Sequence, residues 1–100
     1  MKLQQLTTTL DFLESEYKLD LIDLRLLSAM QMNWDSDKPI RTTELIRDYT
    51  IASPATIHKR VSQELVAKKM IKLKENVEDR RERLIVEGPN FKELIKFLGK

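Results

Sequence analysis

Leu3, Leu6, Leu10, Leu13 and Tyr17 recur at alternating intervals of three and four residues, with Gln4, Gln5, Asp11, Glu14 and Glu16 between them. That spacing predicts an N-terminal helix with one apolar seam, to be covered by the domain's own core or by a second chain. Asp20 is placed to cap a second helix, with Asp23 in its first turn, where a carboxylate complements the helix dipole. Leu21, Ile22, Leu24, Leu26, Leu27, Ala29 and Met30 leave that helix apolar on more than one side, which predicts the centre of the fold. Trp34 closes it, and residues 35–39 form a turn that Pro39 keeps from continuing as helix. Ile40-Arg41 is a candidate two-residue strand. A short helix follows, capped by Thr42 or Thr43, with Leu45, Ile46 and Tyr49 inward.

Ser53-Pro54 is a strong helix start, serine at the cap and proline at the first helical position. Ile57, Val61 and Leu65 then recur every four residues as a buried stripe. After Lys68-Lys69 the period changes to two. Pairing Ile71 with Val86 and Leu73 with Leu84 places both apolar pairs on one face of an antiparallel hairpin, with its turn between Asn76 and Arg81. Gly88-Pro89-Asn90 ends the strand. Asn90 with Glu93 predicts a capping box for a last helix carrying Phe91, Leu94, Ile95 and Leu98. The expected architecture is one domain, mostly α with a small antiparallel β-hairpin (α+β). Residues 1–17 form the first helix, 18–87 the core and 89–98 the last helix.

One hundred residues suffice for one modest core. The absence of cysteine removes disulfide and thiolate chemistry, and a lone histidine makes a zinc or iron site a poor expectation. No apolar run approaches a bilayer span, and Met1-Lys2-Leu3-Gln4-Gln5 has no apolar region of the kind a signal peptide needs. A cytoplasmic location is expected. Net charge is only +2, but its distribution is uneven. Residues 1–50 hold six Lys/Arg and nine Asp/Glu, whereas residues 51–100 hold twelve and seven. The basic half contains the stripe helix and the hairpin.

With Ile57 at the centre of the buried face and about 100° per residue, the outward face of the stripe helix is Ala55, Thr56, Lys59, Ser62 and Gln63, flanked by His58 and Arg60. Ser53 stands at its capped end. Side chains of this kind reach base edges and phosphates when a helix lies in a major groove. At the hairpin tip, Arg80, Arg81 and Arg83 carry the charge that a narrow minor groove attracts, and Asp79 is placed to brace them. A short capped helix, a turn, an outward-polar helix and an arginine-tipped hairpin make a winged helix-turn-helix.

The order of elements and the string Glu78-Asp79-Arg80-Arg81 resemble the MarR (multiple-antibiotic-resistance regulator) family of winged-helix transcription factors, whose wing carries an Asp-x-Arg motif. Thr43-Glu44-Leu45 and Ser53-Pro54-Ala55-Thr56-Ile57 resemble its helix-turn-helix core. The resemblance spans residues 17–90. It implies that Arg81 enters the minor groove, that Asp79 braces it, and that Ser53, Ala55, Thr56, His58, Lys59 and Arg60 belong to the recognition helix. Three departures stand out. Lys68-Lys69-Met70 occupies the place of the family's glycine between recognition helix and wing, so a non-glycine residue in the left-handed region or a longer turn is expected. Glu87-Gly88-Pro89 replaces the family's pattern after the wing. One short helix stands where family members continue through longer dimerising helices.

These features predict sequence-specific binding of double-stranded DNA and transcriptional regulation. The expected assembly is a homodimer joined through Leu3, Leu6, Leu10, Leu13 and Tyr17 together with Phe91, Leu94, Ile95 and Leu98. A winged helix that docks a protein and has no DNA function is the alternative, as is a replication or partition initiator. No catalytic residue, cofactor or metal is expected, because His58 has basic neighbours and no carboxylate partner, and two glycines cannot build a phosphate-cradling loop. An effector ligand in a dimer cleft is left open.

Overall fold

The computed structural model describes residues 2–36, 38–78 and 83–99. Helix α1 spans Leu3–Tyr17 and α2 spans Leu21–Asp35. A two-residue strand, β1, at Ile40–Arg41 leads directly into α3, Thr42–Asp48. Helix α4, Pro54–Lys59, continues without a break into a π-helical segment at Arg60–Leu65. Strands β2, Ile71–Glu75, and β3, Arg83–Glu87, form the wing, and α5 covers Pro89–Leu98. Among the described residues no helix is long and apolar enough to cross a membrane.

Local signals explain most boundaries. The Asp20 carboxylate accepts the Asp23 amide at 2.9 Å, and the Asp23 carboxylate accepts the Asp20 amide at 3.2 Å, so each satisfies a donor that the start of α2 leaves unpaired. Ser53 caps α4 by accepting the Thr56 amide at 3.2 Å, and Pro54 occupies the first helical position. Helix α3 starts differently from expectation. Its cap is Arg41, not Thr42 or Thr43, and Glu44 reaches back to accept the Arg41 amide at 3.2 Å and its Nε at 2.7 Å.

Two chain reversals use lysine in the left-handed region, Lys18 with φ of 58° and Lys69 with φ of 59°. The second replaces the missing glycine as expected. The Lys69 amide donates to the Val66 carbonyl and the Met70 amide to the Leu65 carbonyl, both at 3.0 Å, closing the helix end while Met70 and Leu65 are buried together. Leu19 repeats the longer bond to Leu13 at the end of α1, at 3.3 Å.

The sheet has three strands in the order β1-β3-β2, all antiparallel, so β2 and the short β1 are its edges. The wing register corrects the expected one by a single residue. Ile71 lies opposite Glu87, Lys72 opposite Val86, and Leu73 opposite Ile85. Such a slip exchanges the faces of β3. Ile85 is therefore the inward residue, flanked by Leu73 and by Ile40 of β1, while Leu84 and Val86 are only half-buried. The Gly88 amide fixes this register by donating to the Met70 carbonyl at 3.0 Å, and Trp34 Nε1 adds a bond to the Ile85 carbonyl at 2.9 Å.

Helix α5 starts at Pro89 with Gly88 as its cap, in place of the expected Asn90–Glu93 box. Asn90 faces the other way. Its side-chain amide donates to the Lys68 carbonyl at 2.8 Å and its backbone amide to the Lys69 carbonyl at 3.1 Å. One asparagine thus satisfies carbonyls that the end of the preceding helix leaves open, joining that helix end to the start of α5.

The core gathers Leu26, Leu27, Ala29 and Met30 of α2, Leu45 of α3, Ile57, Val61 and Leu65, Ile71 and Ile85 of the wing, and Phe91 and Leu94 of α5. Trp34 meets Phe91 edge-on at 5.2 Å, and Phe12 stacks on Phe97 at 4.5 Å, which ties α1 to α5.

Candidate nucleic-acid interface

Helices α3 and α4 form the helix-turn-helix pair, and the stripe Ile57, Val61 and Leu65 faces inward with no measurable exposure. On the opposite side, Ser53, Pro54, Ala55, His58, Lys59, Gln63, Ala67 and Lys69 are exposed. Every exposed residue from 53 to 69 is neutral or basic. The single carboxylate in that segment, Glu64, is half-buried and paired with Arg60.

Not every residue expected on this face reaches it. Thr56 is half-buried, and its hydroxyl oxygen accepts the Ser53 hydroxyl at 2.9 Å, so the pair serves the helix start. Ser62 is half-buried and donates its hydroxyl to the His58 carbonyl at 2.6 Å. Part of the difference is the π-helical segment, whose bonds span one residue more per turn than an α-helix. The uniform angular step assumed from the sequence does not hold beyond Lys59.

Arg60 departs most from the expected face. Its Nη1 donates to the Asp20 carboxylate at 2.6 Å and to the Asp23 carboxylate at 3.1 Å, and its Nε lies 3.1 Å from Glu64. Asp23 is only 1% exposed. Lys68 joins the same cluster, with Nζ donating to the Lys18 carbonyl at 2.6 Å and lying 3.8 Å from Asp23. The Glu64 pair is local, four positions on, but nothing local in the sequence signals the pairs with Asp20 and Asp23, which lie forty and thirty-seven positions from Arg60.

The cluster shifts titration in two places. Hydrogen bonds from Arg60 to Asp20 and then Asp23 push the guanidinium further above its already high value. For Asp20, burial acts to raise the carboxyl, but the Asp23 amide and the Arg60 guanidinium outweigh it and hold it below its ordinary value. A carboxyl lowered by folding contributes stability above its unfolded pKa and loses that contribution as pH falls through the folded value. Urea midpoints should therefore decline below about pH 4, and Asp20→Asn should shallow that decline. Identical pH profiles for the two proteins would remove Asp20 from the account.

On the wing, Lys72, Lys74 and Arg83 are exposed, and Glu78 donates its amide to the Asn76 side chain at 3.1 Å as the chain begins to turn. Asp79, Arg80 and Arg81, read from the sequence as brace and minor-groove arginines, lie outside the described residues.

The expected dimer seam divides. Leu13, Phe91 and Leu94 are buried in the protomer's own core, so they do not face a partner. Leu10, Tyr17 and Ile95 are half-buried. Leu3 at 76% and Leu6 at 43% remain exposed on α1, and Phe97 at 44% and Leu98 at 45% on α5. Phe97 was not anticipated; it lies one position from Leu98 and outside the spacing used to read the last helix.

No protein-family model matches the chain. No curated protein matches it either. Among solved structures, a crystal structure of MarR matches with a TM-score of 0.66 and 18% sequence identity, over 93% of this chain and 66% of that one. The chain thus spans just under two thirds of the length of the structure it resembles. At this identity the likeness is one of architecture, and it shows that the chain has a MarR-like winged-helix fold.

Proposed function

We propose that the protein binds double-stranded DNA as a transcriptional regulator, with the helix that starts at Pro54 in the major groove and the wing against the minor groove. The supporting observation is the face from Ser53 to Lys69, where the apolar stripe is fully buried and every exposed residue is neutral or basic. A surface of that kind meets a polyanion without repulsion and places short polar groups near base edges. Within it, Ala55, His58, Lys59 and Gln63 are the candidates for base contact, with Lys59 also able to hold a phosphate. Arg83 and, on sequence grounds, Arg80 and Arg81 supply the wing.

An anisotropy titration with duplex DNA at two salt concentrations tests this reading. Affinity should fall steeply between about 50 and 200 mM salt. Arg81→Ala should weaken binding and reduce the slope of log affinity against log salt by about one. Lys59→Ala should change the preference among sites as well as the affinity. Unchanged isotherms for both variants would reject this surface, and no binding at low salt would favour a winged helix that docks a protein.

The functional unit in this proposal is a homodimer, since one small module buries too little surface for selective binding. Its contact is built from Leu3, Leu6, Phe97 and Leu98, which the Phe12–Phe97 stack brings onto neighbouring helices. Light scattering at tens of micromolar should give twice the monomer mass, and Leu6→Glu should halve it. A wild-type monomer at that concentration rules the dimer out.

A further inference from the structure

We infer that Arg60 is a positioning residue for sequence recognition, acting through Asp20 and Asp23 and not through contact with DNA. The inference rests on the DNA-binding reading above. Arg60 opens the π-helical segment, immediately after Lys59, the last residue of α4. Its guanidinium donates to two carboxylates at the start of α2, at 2.6 and 3.1 Å, and its Nε pairs with Glu64 on its own helix at 3.1 Å. Eight positions later Lys68 grips the same region through the Lys18 carbonyl and the Asp23 carboxylate. The recognition helix is thereby held, within its length by Arg60 and just past its end by Lys68, to the junction of α1 and α2.

The chemistry separates positioning from contact. A guanidinium enclosed by three carboxylates presents no net positive charge to a phosphate, so releasing it should not cost a phosphate contact. Base-edge recognition, in contrast, depends on narrow hydrogen-bond geometry. A helix free to rock by a fraction of an ångström would lose discrimination before it lost general attraction to the duplex, because Lys59 and the wing can follow phosphates on flexible stems. The ion pairs sit where the winding changes, at the first residue of the π-helical segment, a rare geometry that often marks functional sites.

The test begins by selecting a preferred duplex from a random pool with the wild-type protein. Affinities for that duplex and for a scrambled one are then measured over a range of salt. Arg60→Gln should bind the selected duplex at least tenfold more weakly, keep its affinity for the scrambled duplex within about twofold, and leave the salt slope unchanged. Arg60→Lys should recover only part of the discrimination, since an ammonium cannot reproduce the fork between Asp20 and Asp23. If Arg60→Gln does not fold, by circular dichroism, Asp20→Asn tests the same contact while keeping a competent helix cap, and should lower discrimination about threefold. Equal loss on both duplexes with a salt slope reduced by one would make Arg60 a phosphate ligand and overturn the inference. So would unchanged discrimination in a folded variant. A wild-type protein that binds no duplex at any salt concentration would instead remove the DNA-binding reading itself, and the inference with it.

Discussion

An Arg60→Ala variant is expected to lose about 2–3 kcal/mol of folding stability, less than the ~3–5 kcal/mol of a fully buried ion pair because only the Asp23 end of this one is closed to solvent. The alanine would leave the Asp23 carboxylate, 1% exposed, with Lys68 at 3.8 Å as its remaining cation among the described residues and with Asp20 beside it. The native bonds of Asp23 to the Asp20 amide and to Arg60 together offset its burial, and the amide alone does not neutralise a charge. Set against a typical total of about 5–15 kcal/mol, such a loss is a large share of the domain's stability. Urea denaturation of wild type and variant measures it. The cause is checked by a second change: Asp23→Leu combined with Arg60→Met, which removes both charges and keeps apolar volume, should recover most of the loss. A double variant as unstable as the single one would show that lost packing of the long Arg60 side chain, and not the stranded carboxylate, accounts for the effect.

Gly88→Ala should destabilise the fold by about 3 kcal/mol, the upper part of the range for overpacking a well-filled site. A Cβ at this position would lie 2.4 Å from the Lys69 carbonyl oxygen, 2.7 Å from the Met70 carbonyl carbon and 2.8 Å from the Ile71 nitrogen. All three are backbone atoms, so no side chain can rotate away to make room. The strand would have to separate from the turn at Lys69, losing the Gly88–Met70 bond and disturbing the Asn90 contacts to Lys68 and Lys69. These contacts join the end of the helix that starts at Pro54 to the wing and to α5, so the variant should also show faster amide exchange at Met70 and Asn90. A thermal midpoint within a degree of wild type would mean that the close approach is relieved at no cost.

Which features were legible in the sequence follows from how local their causes are. The Asp20 cap, the Ser53-Pro54 start, the stripe of Ile57, Val61 and Leu65, and a left-handed residue where a glycine was missing are each set by neighbours within a few positions. All four appear as expected. The strand register was not legible, because Leu84-Ile85-Val86 are consecutive apolar residues that satisfy either phase of a period-two pattern. The choice falls to Ile40 and Met70, which come from elsewhere in the chain. The π-helical segment was equally hidden, since a spacing of four is compatible with both windings. Arg60 and Asp23 read as a surface cation and a dipole-complementing carboxylate until the fold brought them together. For the N-terminal seam, the periodicity is legible but the division of its residues between core and surface is not. Leu13 turns into the protomer while Leu3 stays outside, a distinction that depends on where α1 leaves the body of the domain.

The place of β2 at the border of the sheet bears on how the protein behaves in a crowded solution. A border strand offers unpaired backbone groups to any other extended chain, and this is a common route to aggregation. Here the exposed alternate positions of that strand are Lys72 and Lys74. A second copy approaching edge to edge would bring two pairs of ammonium groups together, which disfavours sheet extension between molecules. The same two lysines that add positive charge to the wing thus also guard it against polymerisation, and that protection would be weakest in concentrated salt, where their repulsion is screened.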